Sequence, residues 1–175
     1  MTEIGPPRPH VILVVDDDDD VHQVTRIALR TLKYNDRGVE LLHAYSGAAA
    51  LEIMSSRVDV SVILLDVVME SNEAGLDTCK SIREEIGNQF VRILLRTGQP
   101  GMAPEKRVVE DYGIDGYLAK GEMTSTRLTT MVRTALKSYT EITDLEALRR
   151  SLESVHESVR DIPHSPQWAE FGRGS

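Results

Sequence analysis

The chain of 175 residues holds a single cysteine, Cys79, so no disulfide can form within it. That poverty suits a reducing cytosol, and a cytoplasmic location is the expectation. A basic surplus is missing too: 20 Lys and Arg stand against 28 Asp and Glu, a net charge of −8. Nucleic-acid backbones and anionic membrane surfaces therefore meet no neutralising field, and no direct nucleic-acid or membrane binding is expected. No apolar run approaches the roughly 20 residues of a transmembrane helix, and the first residues lack the basic-then-apolar layout of a signal peptide. The five histidines (His10, His22, His43, His156, His164) show no metal-ligand spacing. What remains, 41% apolar and 27% charged, is the balance of an ordinary globule. The length suits one domain with a modest appendage.

Five short apolar stretches punctuate the chain, at 10–15, 39–44, 60–69, 91–95 and 116–119. The third, ending in the lone carboxylate Asp66, reads as a strand buried on both faces. Between them lie helical patterns. Residues 20–32 place Val21, Val24, Ala28 and Leu32 on one stripe; 47–55 place Ala48, Leu51 and Met54; 76–86 place Leu76, Cys79, Ile82 and Ile86. A fourth helix is expected over 104–112. A fifth starts near Met123, with Leu128, Met131, Val132, Ala135, Leu136 and Tyr139 inward. Asp18 or Asp19 suits the first N-cap and Ser46 the second, and residues 35–38 are turn chemistry. Strand and helix alternate five times with short connections. That predicts an α/β doubly wound, five-stranded parallel sheet with helices on both faces and ligand chemistry at the carboxyl ends of the strands.

Around this core, residues 1–9 read as an irregular arm, 10–140 as the domain, 141–160 as a helical extension and 161–175 as a flexible tail. The extension has no Gly or Pro, and Ile142, Leu145, Leu148, Leu152, Val155 and Val159 recur every three or four residues. One helix cannot bury such a stripe alone. A second copy of the chain is the simplest cover, and a fold back onto the same domain is the alternative.

The carboxylates carry the chemistry. Asp16 and Asp17 end the first strand and Asp66 the third; in a flavodoxin-like order, 2-1-3-4-5, those strands are neighbours. Three converging carboxylates raise one another's pKa unless a cation relieves them, and a hard, oxygen-seeking ion such as Mg2+ suits the set. Thr97 and Lys120 end two further strands. Metal, hydroxyl and ammonium together cradle a phosphoryl group, and an Asp carboxylate can itself be the nucleophile. Asp18, Asp19 and Asp20 suit capping and solvation better than ligation.

Four segments now stand in order: Val14-Val15-Asp16-Asp17-Asp18, Leu64-Leu65-Asp66-Val67-Val68-Met69, Leu94-Leu95-Arg96-Thr97-Gly98 and Gly116-Tyr117-Leu118-Ala119-Lys120. Together they resemble the signature segments of bacterial two-component response regulator receiver domains, over about residues 10–140. The resemblance implies a phosphorylation-dependent switch. Asp66 would accept phosphate from a histidine kinase or phosphotransfer protein. Asp16, Asp17, Asp66 and the main-chain carbonyl of Val68 would hold Mg2+. Thr97 and Lys120 would engage the phosphoryl group, and Tyr117 would turn inward with Thr97. The face of helix 4, strand 5 and helix 5, with the extension, would then control a partner or output. No enzymatic activity is implied beyond Mg2+-dependent self-phosphorylation and slow self-dephosphorylation. Fragments such as residues 95–100 also resemble receivers that head longer chains with a cyclic-dinucleotide phosphodiesterase.

Three positions depart from the pattern. Gly121 follows Lys120 where receivers usually carry Pro, which predicts a trans bond and leaves the reach of Lys120 open. An apolar Val68, with Gln99 flanking the same site, predicts slow loss of the phosphoryl group. Arg96 stands where many receivers have a small residue; the acid loop, the phosphate and solvent are all open to it. Two other functions compete. A receiver-like scaffold would act through the C-terminal helix without phosphotransfer, and an aspartyl-nucleophile phosphatase would leave Asp66 unexplained.

Overall fold

The computed structural model of the protein describes residues 7–71, 73–98 and 112–160. Five strands form one parallel sheet in the order β2-β1-β3-β4-β5: β1 His10–Val15, β2 Val39–Ala44, β3 Val60–Asp66, β4 Arg92–Thr97 and β5 Gly116–Ala119. Helices α1 Asp19–Leu29, α2 Gly47–Ser56 and α3 Ala74–Glu84 connect the earlier strands, and α4 Ser125–Arg160 follows β5. The helix expected over 104–112 and the tail 161–175 lie outside the described residues, as does Gln99.

The strands alternate their side chains between two cores. Val11, Leu13 and Val15 face one side with Ile63, Leu65, Ile93 and Leu95, covered by Ala50 and Met54 of α2 and Cys79 and Ile82 of α3. Ile12 and Val14 face the other with Val62, Leu64, Leu94 and Leu118, covered by Leu29 of α1 and Leu128, Val132 and Leu136 of α4. With helices on both faces, every residue of β1 and β3 is buried, which is why those stretches are apolar without alternation.

The caps are side-chain oxygens: Asp18 accepts from the Asp20 amide at 3.0 Å, and Ser46 from the Ala49 amide at 3.1 Å. The turn before β2 uses two left-handed residues, Asn35 (φ 49°) and Asp36 (φ 58°), types that tolerate that region.

Several boundaries and faces depart from the sequence reading. In α1 the inward residues are His22, Thr25 and Leu29, while Val24 is 59% exposed. In α2 Ala50 rather than Ala48 is buried. The stripe through Val21, Val24 and Ala28 is one helical step out of phase with the observed face, because His22 is pulled inward by hydrogen bonds described below. Helix α1 ends at Leu29, and Leu32 closes the following turn by donating its amide to the Leu29 carbonyl at 3.0 Å. Strand β3 stops at Asp66, where the Val67 amide turns to the Arg96 carbonyl. Strand β4 runs on to Thr97 because that residue still pairs with Ala119.

The chain divides into two compact units, Met1–Glu141 and Ile142–Ser175. In the described part of the second, Leu145, Leu148, Leu152 and Val155 are exposed. Arg149 and Arg150 pair with Glu146, and Arg149 also with Glu153. No helix among the described residues is long and apolar enough to cross a membrane.

Candidate functional site

The strand register brings the site together. Val15 pairs with Leu65, so β1 and β3 deliver Asp16 and Asp66 side by side. Asp66 pairs with Arg96, and Thr97 pairs with Ala119 immediately before Lys120. Carboxylate oxygens of Asp16, Asp17 and Asp66 lie within 4.8 Å of one another. Asp16 and Asp66 are 0% and 1% exposed. The Lys120 ammonium donates to Asp66 Oδ2 at 2.7 Å and stands 3.5 Å from Asp16 Oδ2. Thr97 is buried at the same edge. Tyr117 is 45% exposed, and Val68, two residues past Asp66, is partly exposed.

Burial pushes the Asp66 carboxyl above the usual carboxylate range. The Lys120 hydrogen bond and the Val68 backbone amide oppose that, while the neighbouring Asp16 charge adds to it. Burial alone would depress the Lys120 ammonium; the Asp66 hydrogen bond and the two carboxylate charges outweigh it, and the net shift is upward. Lys120 opens a single 3-10 turn, Lys120–Glu122, and no cis peptide bond occurs among the described residues. Gly121 therefore leaves Lys120 within reach of both acids.

The donor set fits a hard divalent cation. It is all oxygen, and Asp16 Oδ2 and Asp66 Oδ1 are buried without a hydrogen-bond partner. Orphaned acceptors of this kind are costly unless a cation or water fills the space between them.

One contributor was left open by the sequence, and two more were not legible in it. Arg96 is 2% exposed and turns to the acids, its Nη1 4.0 Å from Asp16 Oδ2. His22 fixes the Asp16 backbone: its Nε2 donates to the Asp16 carbonyl at 2.8 Å. In the neutral ring its Nδ1 then accepts from His43 Nδ1 at 2.8 Å, and His43 Nε2 accepts from Arg26 at 3.3 Å. The spacing of His22, Thr25, Leu29 and Leu32 could have flagged this face. Gly75, in the first turn of α3, lets that helix touch the end of β3; its amide donates to the Val67 carbonyl at 3.0 Å.

A doubly wound parallel sheet with an acid triad, a hydroxyl and an ammonium at its carboxyl edge defines a receiver of the phosphorylation-dependent signalling class. The chain belongs to the response regulator receiver domain family, matched over residues 12–133. It is 41% identical over 157 residues to the 3'3'-cGAMP-specific phosphodiesterase 2 of Vibrio cholerae. That alignment covers 90% of this chain and 30% of the relative, so the chain spans under a third of that protein's length. Its fold is similar to a CheY-like receiver domain protein from Methanospirillum hungatei (TM-score 0.61, 17% identity, 76% of this chain and 98% of that one). A signal receiver domain of an HD domain-containing protein from Pseudomonas fluorescens is similar too (TM-score 0.64, 22% identity, 77% and 99%).

Proposed function

We propose that this chain is a phosphoacceptor switch in a two-component pathway, with Asp66 as the nucleophile. The observation that carries the reading is the buried Asp66 carboxylate held at 2.7 Å by Lys120 inside the cluster with Asp16 and Asp17. An Asp66 oxygen forms the new bond to phosphorus as the donor's bond to phosphorus breaks; the donor is a histidine kinase or phosphotransfer protein. Asp16, Asp17, Asp66 and the Val68 carbonyl would hold Mg2+. A bound divalent ion screens the repulsion between an anionic carboxylate and an anionic phosphoryl group. Lys120 neutralises charge on the transferred group, and the Thr97 hydroxyl donates to it. Tyr117, half-exposed at β5, turns inward as Thr97 moves, altering the face that β5 and α4 share. Phosphorylation adds about 1.5 to 2 negative charges, enough to bias such a face between two packings.

The output lies with a partner or a further domain. Similarity to the Vibrio phosphodiesterase favours control of cyclic-dinucleotide hydrolysis, and the acid cluster with Lys120 supplies the phosphotransfer that would govern it. The exposed residues Leu145, Leu148, Leu152 and Val155 follow a 3-4-3 spacing, the seam of a coiled coil, which a second copy of the chain covers.

The test is intact-mass spectrometry after incubation with acetyl phosphate and Mg2+. A single phosphate adduct is expected, absent from Asp66→Asn and absent without metal. A folded wild type that takes up no phosphate refutes the switch and favours a scaffold acting through α4. The apolar Val68 predicts slow hydrolysis of the adduct; decay within seconds would refute that part alone.

A further inference from the structure

Arg96 has no assigned part in the phosphoacceptor reading, yet it buries a charged side chain at this edge. Its guanidinium is 2% exposed, and Nε and Nη1 have no hydrogen-bond partner. A buried cation left in that condition persists only where charge nearby compensates it. The compensating charge is the acid cluster: Asp16 Oδ2 lies 4.0 Å from Nη1. Direct pairing with Asp66 across the β3–β4 ladder puts both side chains on one face of the sheet. Burial depresses the guanidinium, and Asp16, Asp66 and Asp18 pull it back.

The 4.0 Å separation matters. It is too long for a hydrogen bond, so Arg96 neutralises Asp16 through space without filling its lone pairs. Asp16 Oδ2 remains an orphaned acceptor, open to a metal ion. The charge count follows: three carboxylates against Lys120 and Arg96 leave −1, where an apolar residue at 96 would leave −2.

We propose that Arg96 is a built-in counter-cation: it holds the acid cluster together while metal is absent and weakens the cluster's grip on Mg2+. The inference rests on the phosphoacceptor reading above and makes Arg96 a positioning residue that acts through Asp16. Metal occupancy, and with it phosphotransfer, then follows the free Mg2+ concentration more closely than in a cluster balanced by Lys120 alone.

The experiment is calorimetric titration of Mg2+ into the full chain, with thermal melts in its absence and presence, for wild type, Arg96→Met and Arg96→Lys. Arg96→Gln is a second charge-free variant should Arg96→Met not fold. Charge removal is expected to tighten Mg2+ binding on the order of tenfold. The charge-free variants should melt below wild type without metal and gain more from adding it. Arg96→Lys should keep the wild-type affinity within about threefold. A merely structural role lowers melting temperature and leaves the affinity alone, so a folded charge-free variant within twofold of the wild-type Kd overturns the proposal. That failure leaves the phosphoacceptor reading intact if wild type still forms the phosphate adduct. No Mg2+ binding by any of the proteins, together with no adduct, overturns both.

Discussion

Replacing Gly75 with alanine should cost stability where helix propensity alone forecasts a gain. Gly75 sits in the first turn of α3, and Gly→Ala in a helix is intrinsically favourable by about 1 kcal/mol. Here a Cβ would fall 2.1 Å from the Asp66 carbonyl oxygen and 2.8 Å from the Val67 Cα. Both are backbone atoms, so no side chain can swing aside. The helix must retreat by about 1 Å to restore ordinary contact, in the range of overpacking penalties of roughly 3 kcal/mol. The same retreat weakens the Gly75 amide bond to Val67, worth about 1 kcal/mol more. Against the propensity gain, the net is about 3 kcal/mol of destabilisation. At a urea m-value of about 1.5 kcal/mol/M the midpoint should fall by about 2 M. Because the displaced strand end carries Asp66, the rate of phosphate uptake should drop by about tenfold to a hundredfold in the protein that remains folded. Gly121→Ala is the control: it also lies near the site, but nothing stands within 4 Å of its Cβ. A Gly75→Ala midpoint at or above that of wild type would refute the close-approach argument.

Other outcomes follow from single contacts. His10 is buried and donates from Nε2 to the Tyr34 carbonyl. Burial holds its pKa below 6.5, with the Arg37 charge adding to the effect and the Tyr34 bond opposing it. The unfolded chain therefore binds the proton first; stability is complete above about pH 6.5 and is lost as pH falls below it. Urea midpoints between about pH 7.5 and pH 5 should show that slope, reduced in His10→Phe, and an unchanged slope would count against it. Asp115 accepts from the Ile93 amide at 2.7 Å and pairs with Arg92 at 2.7 Å and Arg83 at 3.2 Å. Asp115→Ala should cost about 2 kcal/mol, read from chemical denaturation. For the coiled-coil seam, light scattering should give twice the 19.5 kDa chain mass for wild type and a monomer for Leu148→Glu with Leu152→Glu; a monomeric wild type would remove the dimer.

The five strands, and the approach of Asp16, Asp17, Asp66, Thr97 and Lys120 to their carboxyl ends, were legible because their causes are local; the strand order 2-1-3-4-5 came with the flavodoxin-like pattern and is borne out by the sheet. Parallel strands buried on both faces are apolar along most of their length, so charged residues at their carboxyl ends stand out in the sequence. The cap at Ser46 and the turn at Asn35 and Asp36 are likewise short-range, set by a side chain and its own backbone. What only the tertiary structure decided involves two elements at once. Arg96 turns to the acids because β4 pairs with β3 in a register that sets it opposite Asp66, and no periodicity in β4 encodes that partner. His22 faces inward and Val24 outward because the Asp16 carbonyl and His43, on other elements, meet the His22 ring on the side where Leu29 and Leu32 also pack. Gly75 is a glycine because a strand end passes within contact of its missing side chain. Composition and spacing describe a chain against water; these three positions answer to neighbours that the fold alone brings near.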